Sequence, residues 1–255
     1  MTVTTTFAAS WTDVEKTLLY AESPVIIEGP PGTGKSWAAK RLGLKHPKTK
    51  KTRVVYVLQC TEETPAIIAV GYERVVGGDM IFGPGPIPRA WGWDDVACAA
   101  GKPNGCVGRL VVEEIDKASG DLLQILLAAA DDVRIAQMLL PTGIIITPPK
   151  DGGYQIVATS NAPVSSLPDA LRDRFEGIVL HIDQPAPGAI EDLDVDVRKA
   201  ARSSCIAKGE KRIGIRQWRA FCELRKSTKD QAFAGRIVFR KRAKEILSDL
   251  SIGAT

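Results

Sequence analysis

The chain has little with which to hold a metal ion by itself or to cross-link itself. Histidine occurs only twice in 255 residues, at His46 and His181. The five cysteines, Cys60, Cys98, Cys106, Cys205 and Cys222, form no close pair of the metal-ligand kind. An odd count at irregular spacing argues against a disulfide framework and for free thiols in a reducing compartment. Long apolar runs are missing as well: the stretch 122–130 is far short of the ~20 residues that span a bilayer. Residues 1–10 have neither a basic start nor an apolar core, so no secretory signal is read there. No repeat or low-complexity tract is found. The expectation is a soluble, cytoplasmic protein without membrane contact.

What is present is ordinary globular material, 44% apolar and 25% charged. The length suffices for a full core, in one domain or in a large and a small one. The net charge of +4 hides an asymmetry: from Val197 onward there are 16 Lys and Arg against 5 Asp and Glu. The tract 40–53 is also basic. Such regions either meet nucleic acid or an acidic partner, or form a solvated helical face.

Hydrophobic patterning predicts strands at 25–28, 53–59, 109–115, 155–160 and 178–182. Helices are predicted at 36–44, 61–70, 89–100, 119–130 and 169–175, the second capped by Thr61 with Glu62 and Glu63 in its first turn. Residues 71–88, rich in Gly and Pro, read as a loop or hairpin insertion. Its Met80, Ile81 and Phe82 either form an apolar tip or pack back on the core. Residues 134–139 and 143–147 can pair as a second hairpin, with a turn at 148–153. Trp91 and Trp93 are either core anchors or a base-stacking patch. Alternation of buried strands with helices makes an α/β fold, a parallel sheet with helices on both faces, over residues 1–184. Past Gln184-Pro185-Ala186-Pro187-Gly188 the strand signal fades, and 185–255 read as a smaller, basic helical domain.

Two constellations carry chemistry. Gly29-Pro30-Pro31-Gly32-Thr33-Gly34-Lys35-Ser36 matches the P-loop pattern in full and lies between a predicted strand and a predicted helix, the context it requires. Its glycines let successive backbone N–H groups point at phosphate oxygens, Lys35 can reach the β- and γ-phosphates of ATP, and Ser36 can ligate Mg²⁺. Downstream, Leu110-Val111-Val112-Glu113-Glu114-Ile115-Asp116 sets carboxylates at the end of a buried strand, where open α/β sheets bind ligands. One such acid can hold the Mg²⁺ shell and a second can orient the attacking water; the alternative is that both only open the loop before the next helix.

Together with Ala158-Thr159-Ser160-Asn161 and Leu167-Pro168-Asp169-Ala170-Leu171-Arg172-Asp173-Arg174-Phe175, these motifs resemble an AAA+ ATPase. More narrowly, the chain resembles the MoxR-like or dynein-related branch that includes CbbQ-type activases. The resemblance covers residues 23–182 well and the C-terminal region loosely. It implies that Glu113 stands at the Mg²⁺-side acidic position, normally Asp, and that Glu114 is the catalytic glutamate. It implies that Asn161 is the polar sensor and that Arg174 or Arg172 is the arginine finger acting on a neighbouring subunit's ATP. It makes Arg216 the arginine of a C-terminal helical lid domain that contacts the γ-phosphate. From the residues alone, Asn161 can equally be a turn residue, Arg172 and Arg174 partners of nearby acids, and Arg216 one more surface base.

The resemblance further implies a Mg²⁺-dependent ATPase that assembles as a homo-oligomeric ring, a hexamer in the family, and remodels a protein partner. A nucleic-acid motor or loader is the alternative favoured by the basic regions. A slow-turnover assembly switch is the alternative favoured by Glu113.

Overall fold

Val25, Ile26 and Ile27 are β-branched and have no solvent exposure, as a strand covered on both faces requires. They open the strand from which the first unit is organised. The structure is a computed structural model describing residues 8–105, 108–150, 153–207 and 209–252. Its chain order is α1 (Trp11–Tyr20), β1 (Val25–Glu28), α2 (Lys35–Arg41), β2 (Val54–Gln59), α3 (Ala66–Val70), β3 (Gly71–Val76), β4 (Asp79–Pro84), α4 (Pro86–Ala90) and α5 (Asp95–Ala100). There follow β5 (Gly108–Glu113), α6 (Gly120–Ala129), β6 (Met138–Leu139), β7 (Ile145–Ile146), β8 (Gln155–Ser160), α7 (Asp169–Phe175) and β9 (Val179–His181). The helices α8 (Pro187–Glu191), α9 (Arg198–Ile206), α10 (Ile215–Thr228), α11 (Gln231–Phe239) and α12 (Ala243–Ile252) complete it.

Five strands form one parallel sheet in the order β2-β5-β8-β1-β9. Every residue of β1, β5 and β8 is buried, whereas the edge strand β2 is half exposed. Alternate residues of β5 serve opposite faces. Leu110 and Val112 join a core with Ile87 of α4, Trp91 just after it, and Leu122 and Leu126 of α6. Arg109 and Glu113 turn to the other face, towards α2. Helices therefore lie on both faces of the sheet, as the patterning predicts.

Arg109 has no exposure and no carboxylate partner among its hydrogen bonds. Its guanidinium donates to the carbonyls of Ala39, Leu42 and Gly43 at the end of α2, at 2.6–2.9 Å. It also donates to Leu18 O in α1 at 3.0 Å and to Gln155 Oε1 at 2.7 Å. Gln155 Nε2 in turn donates to Leu18 O and Ala21 O. One buried cation thus occupies the carbonyl ends of two helices, where the last C=O groups lack helical partners and the helix dipole is negative.

Several local expectations are corrected. Residues 61–65 are not helical: Pro65 is itself extended and disfavours helix at the residue before it, and Thr61 N–H donates to Thr64 Oγ1 at 2.8 Å in a turn. The helix expected at 89–100 divides into α4 and α5. Gly92, at φ 85°, breaks it, and Asp94 caps the second piece by accepting from Ala97 N–H at 2.8 Å. The tip of the first hairpin is Gly77-Gly78, with φ of 65° and 98°, the left-handed pair that a two-residue turn demands. Met80 and Ile81 are exposed beside that tip, but Phe82 is buried in the core. Trp91 and Trp93 are buried too, which removes the base-stacking reading. The second hairpin is shorter than expected and pairs only Met138–Leu139 with Ile145–Ile146. The turn expected at 148–153 includes residues 151–152, and these, like Cys106, lie outside the described residues.

The chain divides into two compact units, one containing Lys35–His181 with the residues up to Gly29, the other Pro30–Gly34 with the residues from Ile182 onward. The second unit is helical and has its own core. Trp218, Phe221 and Phe239 cluster there with ring centroids 5.0–6.1 Å apart. Arg225 lies 5.4 Å above Phe221 and binds Asp194 at 2.5 Å and Asp196 at 2.6 Å. Among the described residues no helix is long and apolar enough to cross a membrane.

Replacing Arg109 with Leu takes a donor from five acceptors, of which Leu18 O keeps Gln155 Nε2 and Gly43 O keeps Arg53. We expect a loss of about 3 kcal/mol or more, read as a lower urea midpoint, with Arg109→Lys recovering only part of it because one ammonium cannot reach carbonyls spread over two helices.

Candidate nucleotide site

β1 ends at Glu28 and the chain turns at once into residues 29–36. Gly29, Gly32 and Gly34 adopt φ of 141°, 80° and 101°, a backbone that residues with a Cβ resist. Lys35, the first residue of α2, is buried. Its Nζ donates to Gly29 O at 2.7 Å and to Asn161 Oδ1 at 3.0 Å, so the side chain folds back to the start of its own loop. Asn161 is fixed from behind by its N–H donating to Asp116 Oδ1 at 3.3 Å. Thr33 Oγ1 donates to Pro30 O at 3.0 Å. Within the second unit, Pro31 O accepts from Arg212 at 2.7 Å and Thr33 O accepts from Ala186 N–H at 3.0 Å. Ser36 is half-buried at the next position of α2.

The parallel register brings further polar groups to the same ends of the strands. Glu28 aligns with Ser160 on one side and His181 on the other. It is buried, accepts from Val164 N–H at 2.6 Å and lies 3.1 Å from His181 Nδ1. The sequence reading missed Glu28 and His181. The available signal was an acid closing an otherwise apolar buried strand immediately before the glycine loop.

Glu113 and Glu114 part company although adjacent. Glu113 is buried on the α2 side, with Lys40 Nζ 3.0 Å from its Oε1 but not aligned as a hydrogen bond. Lys40 is four residues beyond Ser36 and so shares its helix face. Glu114 takes a left-handed conformation, φ 56° and ψ 48°, an uncommon state for a residue with a side chain that tends to mark functional turns. Its N–H donates to Thr159 Oγ1 at 3.3 Å and its carboxylate pairs with Lys117, whose pKa it raises through hydrogen bonding and charge.

The structure thus brings Gly29, Lys35, Asn161 and Asp116 together. It leaves the candidate fingers elsewhere, on α7. Arg172 pairs with Asp169 at 2.9 Å, and Arg174 with Asp173 at 2.7 Å and Asp131 at 3.6 Å. Arg216 belongs to the second unit, in the first turn of α10.

For Mg²⁺, the described residues contain no group of three or more His, Cys, Asp or Glu side chains that could hold an ion alone. The residues present suit a different arrangement. Mg²⁺ keeps several waters and is bound through one or two protein oxygens plus substrate phosphates. The buried Glu113 Oε1, without a hydrogen-bond donor, and the Ser36 hydroxyl one helical turn from Lys40 are a donor set of that kind.

A parallel sheet with helices on both faces, a glycine loop leaving its β1 strand and carboxylates ending β5 define a P-loop protein of the AAA+ type. The chain belongs to the dynein-related subfamily of AAA domains, whose family pattern it matches over residues 24–175. Comparison with curated proteins gives no match. Among solved structures it is similar to NtrX from Brucella abortus, with 15% identity and a TM-score of 0.56, covering 86% of this chain and 51% of that one. It is also similar to NtrX in complex with ATP, with 12% identity and a TM-score of 0.53, covering 88% and 53%. The Holliday junction branch migration motor RuvB of Thermotoga maritima gives 18% identity and 0.44, covering 95% and 69%. The chain spans about half the length of the NtrX chains.

Cys60 follows β2 and donates its N–H to Glu113 O at 2.9 Å. Burial pushes its thiol up to about 12, and the charges of Asp116 and Glu114 add to the shift. At pH 8 the thiolate fraction is then on the order of 10⁻⁴, so we expect iodoacetamide to label Cys60 only after unfolding, as read by peptide mass spectrometry. Because the folded value lies above the ordinary one, the corresponding stability is full below about 9 and is lost as pH rises towards 12.

Proposed function

We propose that the protein is a Mg²⁺-dependent ATPase of the MoxR-like kind that works as a homo-oligomeric ring and remodels a partner protein. The observation that carries the ATPase part is the Lys35 ammonium set between Gly29 O and Asn161 Oδ1. This couples the phosphate loop directly to the residue at the end of β8.

In this reading residues 29–34 wrap the phosphates with backbone N–H groups, and Lys35 exchanges its present oxygens for those of the β- and γ-phosphates. Asn161, released from Lys35 but held by Asp116, positions the attacking water. Glu114 leaves Lys117 to polarise that water, its left-handed backbone aiming the carboxylate. Ser36 and Glu113 would hold Mg²⁺, which when bound neutralises charge on the phosphate oxygens. The extra methylene of Glu113 relative to Asp affects turnover more than binding. Residues 185–255 act as the helical lid, with Arg216 reaching the γ-phosphate. Arg174, or Arg172 in its place, gives up its local acid to serve the ATP of an adjacent subunit, which ties turnover to assembly.

The remodelling part is supported by apolar side chains left in water on the two hairpins: Val75 and Met80 on the first, Leu139 and Ile145 on the second. Exposed apolar groups on loops of a rigid scaffold mark contact sites.

Lys35→Ala should abolish ATP binding measured by calorimetry. Glu114→Gln should keep binding and lose about 100-fold or more in turnover. Wild-type turnover as slow as that of Glu114→Gln would instead make the protein a nucleotide-gated switch. Arg174→Ala should bind ATP but turn it over slowly, and mixing it with Lys35→Ala subunits should restore part of the rate if the arginine acts in trans; absence of rescue at every ratio refutes that role.

A further inference from the structure

The helical unit contains a cavity of about 470 Å³ that the nucleotide reading does not use. Ile213, Trp218, Ile246 and Leu250 form its floor. The indole N–H of Trp218 is already spent on Ser204 Oγ at 2.8 Å, so the floor offers no free polar group there. The rim is charged. Asp196 is taken by Arg225, which reaches both its oxygens at 2.6 and 2.9 Å, and Arg242 pairs with Glu245 at 3.3 Å. Lys199, Lys211 and Asp249 are left, and among the described residues neither lysine forms an ion pair. With Lys199 and Lys211 set against Asp249, the opening keeps a net positive charge over an apolar base, in a stretch 182–255 with 16 Lys and Arg against 10 Asp and Glu. Its size falls within the ~300–1,000 Å³ of sites that take a small ligand or a pair of side chains.

We propose that this cavity docks an acidic, amphipathic peptide segment of a partner protein. One or two large apolar side chains would sit on the Ile213, Ile246 and Leu250 floor, with flanking carboxylates on Lys199 and Lys211. Each half of the site selects its complement: an apolar floor gains nothing from a bare anion, and the lysine rim repels basic or gains little from neutral segments. Nucleic acid fits less well. Stacking needs an open aromatic face, and the Trp218 ring is 1% exposed and packed against Phe221 and Phe239. The site lies wholly within the second unit, so the inference stands or falls apart from the ATPase reading.

The probe is a fluorescein-labelled synthetic peptide with a leucine–phenylalanine pair flanked by aspartate and glutamate, titrated with the full chain at low salt and followed by anisotropy. Saturable binding is expected, weakened about tenfold by the double change Lys199→Glu and Lys211→Glu, since two favourable charge contacts become repulsive. Ser203→Trp, which fills the cavity from its exposed rim, should weaken it as much, with helical content by circular dichroism unchanged. A peptide with serines in place of leucine and phenylalanine should not bind. The proposal is overturned by failure of the acidic peptide to bind, by binding that ignores both variants, or by equal binding of the serine peptide. It is overturned as well if oligothymidylate binds in its stead and responds to the lysine changes but not to Ser203→Trp, which would assign the rim to nucleic acid.

Discussion

The ammonium of Lys35, drawn back to the carbonyl of Gly29 and tied to Asn161, is the contact on which the site is built. A buried cation must be matched by oxygen, and the loop brings its own first carbonyl to do so. The curl that makes this possible depends on glycines at φ values closed to other residues. Asn161 then links the loop to β8, and Asp116 links Asn161 to the segment after β5. Three neighbouring strands of the sheet are thereby joined through side chains at one end.

The opposite end of the sheet explains why α2 can hold Lys35 and Ser36 in place. A single strand, β5, grips this helix twice. Arg109 at its start binds the carbonyl end of α2, and Glu113 four residues later faces Lys40 of its last turn. Residues of like parity on a strand share a face, so the spacing from Arg109 to Glu113 sends both side chains to the same helix. The arginine is a structural cation and the glutamate lies beside the site, yet both depend on the register of one strand.

The surfaces proposed for recognition do not belong to this buried centre. The two hairpins present apolar residues on short strands outside a sheet whose central strands β1, β5 and β8 are fully buried. The helical unit has a separate core and a cavity of mixed character. The basic excess noted in the sequence is distributed on that unit partly as structure: Arg225 is committed to Asp194 and Asp196, and Arg219 to Asp192.

The sequence by itself determined the P-loop, the parallel sheet and the transition to a helical region. Each of these rests on local information: glycine spacing, runs of β-branched residues, and the loss of strand pattern after residue 188. The positions of β1, β5, β8 and α6 were legible for the same reason, since buried strands and amphipathic helices write their periodicity into consecutive residues. What only the tertiary structure decided is pairing over long separations. Arg109 reads as a charged residue on a strand until five acceptors from two helices and β8 surround it. Glu28 and His181, 153 residues apart, become neighbours only when β9 pairs with β1. For Phe82 the sequence left tip and core both open because its burial depends on where a hairpin folds back, and the break between α4 and α5 depended on one glycine and one capping aspartate. Periodicity reports which way a side chain points along its own element. The partner it finds there is set by the packing of elements distant in the chain.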